Sequence, residues 1–260
     1  MIMGTSTDSL VDSRITEEIL DSIKIPSLPE AAAHLLDLCR DEFAGSNEIV
    51  RVVELDTALS ARLLKVANSS YFGQQYRVST LTRAAVVLGN EHLKAAALGF
   101  YLSSSWRHLG HSSFDMREFW RDNILRGCLG RQLAWAIEMH PTEQAFLVGM
   151  LGDIGSLVLS THFKQRYAPV FEQARGDFIR RRDIERAELG TDHVEVARML
   201  ATRWMFPEVL VSALGKRCVE PPMTRVHDAS TLLWQLSYFL AAVPFATDRQ
   251  TARLAASLRH

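Results

Sequence analysis

Apolar residues recur along most of this chain at intervals of three and four, and strand-like alternation is hard to find anywhere. That period predicts helices. Ile15, Ile19 and Ile23 share one helix face. Pro26 and Pro29 then interrupt the chain, because proline fixes its own φ and restricts its predecessor. Pro29 can open a second helix, with Ala32, Leu35, Leu36 and Cys39 on one side. Ser46 is a candidate cap for a helix carrying Ile49, Val50 and Val53. Asp56 is another, for a helix with Leu59, Leu63, Val66 and Ala67 inward. Residues 80–88 predict a short helix closed by Gly89, and Asn90 caps the next, which runs towards Trp106.

The second half keeps the helical period. A loop rich in Gly, His and Ser at residues 108–115 marks the best internal boundary. A long helix is predicted over 116–139, and Pro141 opens another that carries Phe146, Leu147, Met150 and Leu151. Residues 154–159 continue as an apolar segment. Residues 173–189, with Arg180, Arg181 and Arg182, mix both signs of charge and read as a solvated helix face. Amphipathic residues 193–205 end before Pro207, Pro221 and Pro222 mark a bend, and helices are predicted over 230–240 and 247–258. The reading is an all-α bundle: a flexible polar tail over residues 1–12, an N-terminal helical subdomain over 13–112 and a second helical subdomain over 113–260.

Composition narrows the function classes. The 260 residues carry 29 Lys+Arg against 30 Asp+Glu, which argues against a nucleic-acid-coating protein. The three cysteines, Cys39, Cys128 and Cys218, form no Cys-x-x-Cys pair; they read as small core residues in a reducing cytoplasm. The N-terminus has no basic start followed by an apolar core, and no apolar window approaches the roughly 20 residues of a membrane span. A cytoplasmic protein with no membrane contact is therefore expected. No phosphate-cradling Gly-rich loop and no Gly-x-Ser-x-Gly elbow is present. The helix around Arg62 and Lys65 could suggest DNA reading, but Leu63, Leu64 and Val66 fall on its apolar side, and the charge balance gives little electrostatic support.

The segment Gly149-Met-Leu-Gly-Asp153-Ile-Gly155 is the first candidate for chemistry. It delivers an acid inside an apolar run, where an unpaired carboxylate is expensive; a structural Asp that caps a neighbouring segment is the plainer reading. The segment resembles the Leu-x-His-Asp-x-Gly helix of the HD phosphohydrolase superfamily, with Gly152 at the His position. Further blocks are similar to one branch of that superfamily, the HDOD (HD-related output) domain. They are residues 25–29, Leu55-Asp-Thr-Ala-Leu59, Asn68-Ser69-Ser70-Tyr71-Phe72-Gly73, Ala84–Gly89, Phe119-Trp120, Asp192-His193, and Trp204 with Pro207. Their order and spacing carry the resemblance over about residues 25–222.

The resemblance implies an all-helical, HD-like fold. Active HD enzymes hold divalent metals with His and Asp ligands, and the metals activate water. Carried over position by position, that cage is reduced here to a remnant pocket. Asp122 stands at the first His position, Gly152 and Asp153 at the His-Asp doublet, and His193 at a further His. Gly215 and Lys216 stand at a His-His pair, and residues 232–240 offer no acidic residue for the last ligand. Each survivor has a structural alternative. Asp122 can pair with Arg121 or Arg126, and His193 can be a neutral, hydrogen-bonded imidazole at a helix start capped by Asp192. In the loop motif, Asn68 and Ser69 can stop the preceding helix, Gly73 can take positive φ, and Tyr71 and Phe72 can anchor the loop in the core.

What the resemblance implies is a catalytically inactive signalling module of bacterial regulation, with no cofactor and no metal, acting through a protein partner and able to dimerise through an apolar face. The alternative is a residual metal-dependent phosphohydrolase, or a domain that senses a nucleotide or other small molecule in the remnant pocket.

Overall fold

Every regular element is helical in a computed structural model of the chain. The structure describes residues 8–22, 30–40, 44–69, 74, 76–105, 115–139, 142–175, 177–219, 221 and 228–242. Among them are fourteen α-helices and no strand. They are α1 (Asp8–Ser22), α2 (Glu30–Arg40), α3 (Ser46–Glu54), α4 (Thr57–Ala67), α5 (Leu81–Leu88), α6 (Asn90–Ser105) and α7 (Met116–Ala136). After these come α8 (Thr142–Leu151), α9 (Ile154–Phe163), α10 (Ala168–Ala174), α11 (Phe178–Leu189), α12 (His193–Arg203), α13 (Glu208–Gly215) and α14 (Ala229–Ala242). The expectations for residues 23–29, 70–73, 106–114, 222–227 and 243–260, and for the side chains of Leu36 and Cys39, lie outside the described residues.

Local chemistry starts and stops these helices where the sequence offers it. The Asp56 carboxylate accepts from the Leu59 N–H at 3.0 Å. Thr80 accepts from the Arg83 N–H at 3.2 Å, and Gly89 ends α5 at φ 80°. The Asp192 carboxylate accepts from the N–H groups of Val194 and Glu195, both at 2.9 Å. In each case an otherwise orphaned backbone group gains a partner. Ser46 and Asn90 are not caps: each is the first helical residue. The Glu48 carboxylate reaches back to the Gly45 N–H at 3.1 Å and closes the start of α3 instead. α1 begins at Asp8, inside the segment expected to be a tail.

One continuous apolar cluster runs from Ile19 to Leu236. It joins the two halves of the chain, and α6 packs on both α2 and α8. α8 and α9 lie at its centre. Residues 145 and 147–160 are all buried, so these helices are apolar all round rather than on one face. Residues 142–166 are in fact long and apolar enough to cross a membrane by composition, contrary to the reading of the sequence. However, 83% of the most apolar window is buried inside the fold, and the helix breaks at Gly152 and Asp153.

α9 meets α12 backbone to backbone. A Cβ at Gly155 would stand 1.9 Å from the carbonyl oxygen of His193 and 3.0 Å from the Ala197 nitrogen. The two helices can approach this closely only without a side chain there. Gly155→Ala is therefore expected to destabilise the protein by about 2 kcal/mol or more, because backbone must move. The midpoint of urea unfolding measures it; an unchanged midpoint would show that α9 and α12 separate without cost.

Candidate functional site

The break between α8 and α9 delivers Asp153 into the centre of the molecule, where it is 2% exposed. A carboxylate in that position needs charge partners. It caps no helix. Instead Arg126 of α7 donates to Oδ2, and Arg181 of α11 donates to Oδ1 at 2.9 Å. A third guanidinium, Arg217, follows α13 and is 1% exposed. Burial alone would raise the Asp153 carboxyl. The charges of Arg126, Arg181 and Arg217, with His193, outweigh burial and hold it well below the usual carboxylate range.

Gly152 explains how Arg217 reaches this place. A Cβ built on Gly152 would lie 2.0 Å from Nη1 and 2.3 Å from Cζ of Arg217. The arginine therefore occupies the space that any side chain at 152 would enter. The expectation at Gly215 and Lys216 is corrected by one position. Lys216 is exposed, with its Nζ 4.8 Å from the centre of the Trp234 ring, and Arg217 is the residue turned inward. Gly215 packs against Arg198: a Cβ there would meet its Cδ at 2.7 Å.

His193 starts α12 and is fully buried. Its N–H donates to Glu185 Oε2 at 2.8 Å, and Nδ1 lies 2.5 Å from the same oxygen. Nε2 faces the Cys218 sulfur at 3.9 Å. Tyr167 donates to the other Glu185 oxygen. Arg181 Nε stands 3.9 Å from that oxygen, within ion-pair range but beyond a hydrogen bond. Burial and then the Arg181 charge press the imidazole towards neutrality. The Glu185 charge and the hydrogen bonds to Cys218 and Glu185 outweigh them and raise it to about 9. The Glu185 carboxylate thus favours the charged form of His193, where the helix-start position alone suggests a neutral ring.

Asp122 is buried on α7, and its Oδ1 accepts from Arg121 Nε at 3.1 Å, one of the two pairings expected for it. Among the described residues, no three His, Cys, Asp or Glu side chains converge on a common point that could hold a metal ion. Asp122, Asp153 and His193 therefore do not form a shared ligand set, and both Asp153 oxygens face guanidinium groups. The donors among the described residues do not fit an HD-type metal centre.

Sequence reading missed Arg181, Glu185 and Arg217. Arg181, Glu185 and Leu189 are all buried along one side of α11, so the expected solvated face belongs to only part of that helix. The spacing of four residues that ends on an apolar Leu189 was the available signal. Asn68 bonds backbone groups at the end of α4. Its Nδ2 donates to the carbonyls of Leu64 and Val78 at 2.7 and 2.8 Å, and its Oδ1 accepts from the Val78 N–H at 2.8 Å. Asn68 and Ser69 also line an open groove of about 1100 Å³, together with Arg62, Lys65, Arg117 and Trp120.

Comparison with known proteins places this geometry. The HDOD domain family matches residues 25–217. An HDOD domain protein of unknown function from Geobacter sulfurreducens superposes with a TM-score of 0.76 at 17% identity, covering 90% of this chain and 77% of that one. A Marinobacter aquaeolei VT8 protein named for signal transduction gives 0.70 at 22% identity, over 90% of this chain and 56% of its own. A Shewanella amazonensis SB2B protein named for phosphohydrolase activity gives 0.70 at 25% identity, over 93% and 86%. An uncharacterised Treponema pallidum protein is 22% identical over 204 residues, which is 78% of this chain but 39% of that protein's length.

Two outcomes follow from the network. Asp153→Asn leaves buried guanidinium charge without its counter-charge, and is expected to cost about 3–5 kcal/mol in urea unfolding; a loss below about 1 kcal/mol would show the cluster is not held by charge. The second outcome concerns pH. An imidazole raised from 6.5 to about 9 adds stability that is complete below about pH 6.5 and is lost as pH rises through about 9. Asp153 acts at the other end: its contribution is present above its ordinary value of 3.8 and is lost as pH falls towards its depressed one. Stability should therefore drop by on the order of 3 kcal/mol between pH 7 and 10, and His193→Gln should remove most of that slope. Parallel slopes in the two proteins would place the titration elsewhere.

Proposed function

The chain belongs to the HDOD domain family, and from that premise we propose that it is a catalytically silent module acting in bacterial regulation through contacts with other proteins. One observation carries the silence: the Arg217 guanidinium fills the space beside Gly152 where the metal-binding His of an active HD site would project. His at 152 and this placement of Arg217 exclude each other. The buried cations supply the counter-charge to Asp153 that a metal ion would otherwise supply, but a guanidinium binds no water for attack. The fold alone does not decide the matter, because relatives named for signalling and for phosphohydrolysis share it.

Action by contact is supported by the open groove on α4, α6 and α7. Arg62, Lys65 and Arg117 line it beside apolar Val66, Phe100 and Ile124, with no Asp or Glu among its described lining residues. Such a surface suits an anionic partner face.

The test of silence is metal analysis of the purified chain after expression with manganese or iron(II), followed by turnover assays on a phosphomonoester and a cyclic dinucleotide. Substoichiometric metal and no hydrolysis are expected. Stoichiometric metal with turnover abolished by Asp153→Ala overturns the reading. Affinity capture from the host should return a partner that is lost when Lys65→Glu and Arg117→Glu are combined; retention unaffected by that pair removes the groove from the proposal.

A further inference from the structure

Arg217 stands apart from the other arginines of the cluster. It is 1% exposed, yet Nε, Nη1 and Nη2 have no hydrogen-bond partner. Asp153 is near enough for its charge to act on Arg217 but accepts no hydrogen bond from it; its oxygens accept from Arg126 and Arg181. Five N–H groups on a permanently charged side chain are thus left without an acceptor in the core. Native proteins rarely leave a buried charged donor in that state, since the desolvation it suffers is uncompensated.

A water molecule could accept two of these hydrogen bonds but brings no charge. A large oxyanion such as phosphate is a poor fit, because Arg217 packs directly on Gly152 and the side chains around it are closed to solvent: Asp153 is 2%, Arg126 5% and Arg181 5% exposed. The remaining acceptor is small, monovalent and easily dehydrated. We infer that the Arg217 guanidinium, flanked by Arg126 and Arg181, holds a single halide-class anion in the core.

The anion occupies the region that the HD fold gives to its metal, with the sign of the bound ion reversed. Its role is to complete the packing of the loop after α13 against the α8–α9 break. The inference rests on the unpartnered donors of Arg217 and not on catalytic silence, and its readouts differ from metal content and turnover, so either reading can fail alone.

The experiment compares thermal unfolding in sodium chloride and sodium gluconate at equal ionic strength. A ligand that binds only the folded state raises the melting temperature. Chloride is expected to raise it by about 3 °C or more, saturating with concentration, and bromide to do the same. Arg217→Met should abolish the difference between the two salts. Identical melting in both salts, or an undiminished chloride effect in Arg217→Met, overturns the inference. Should that variant fail to fold, crystals of the unsubstituted chain soaked in bromide decide. An anomalous peak within hydrogen-bonding range of the Arg217 nitrogens, together with the chloride-dependent melting, supports the site. Solvent alone at that place overturns it, and a peak without any chloride effect on melting marks an adventitious ion only.

Discussion

Asp153 is the point on which the rest of the molecule turns. Two helices apolar on every side, α8 and α9, can be accommodated only at the centre of the fold. The break between them is therefore central too, and the carboxylate it carries has no route to solvent. A buried anion of this kind is tolerable only if opposite charge comes to it. α7 brings Arg126 and α11 brings Arg181. The packing of four helices around the core is thus tied to one ion-pair centre.

The centre extends in one direction as a satisfied network. Arg181 lies between Asp153 and Glu185, and Glu185 in turn binds His193 twice and Tyr167 once. Arg181 is accordingly held charged, with its own acidity pushed down by the two carboxylates against the effect of burial. The phenol of Tyr167 is kept neutral, as burial and the Glu185 charge both demand. Chemically this arrangement is a store of fixed charge. Both oxygens of Asp153 and both oxygens of Glu185 accept from donors within it.

Much of the architecture was legible in the chain because it depends on local relations. The helical period needs only neighbouring residues, and caps such as Asp56 and Asp192 act two or three positions ahead. The charged centre was legible only in part. Asp153 and His193 stood out through a motif, but their partners lie 27, 28 and 8 positions away; nothing local marks Arg126 as buried, and only the four-residue spacing to Leu189 points to Arg181 and Glu185. A run such as Arg180-Arg181-Arg182 looks alike at every position. The helix turns Arg181 inward, leaves Arg180 exposed and sets half-buried Arg182 on Asp192, and that depends on where α11 lies against the core. The one-residue difference between Lys216 and Arg217 has the same origin. A motif fixes a neighbourhood, whereas the turn after α13 decides which side chain of the neighbourhood points in.

Positions 152 and 217 have to be considered as a pair. A glycine at 152 beside a small residue at 217 would leave a void next to a carboxylate, and a void in a packed core costs stability. A larger side chain at 152 beside Arg217 would drive atoms within about 2 Å of one another. Each state of one position therefore constrains the other. The same carboxylate at 153 suits both arrangements, since it needs a cation and is indifferent to its kind. On the proposed reading, this is how an HD-like helix bundle keeps Asp153 and its scaffold with guanidinium groups rather than a metal as the counter-charge. The requirement for positive charge at the α8–α9 break belongs to the fold, and what supplies that charge sets the chemistry.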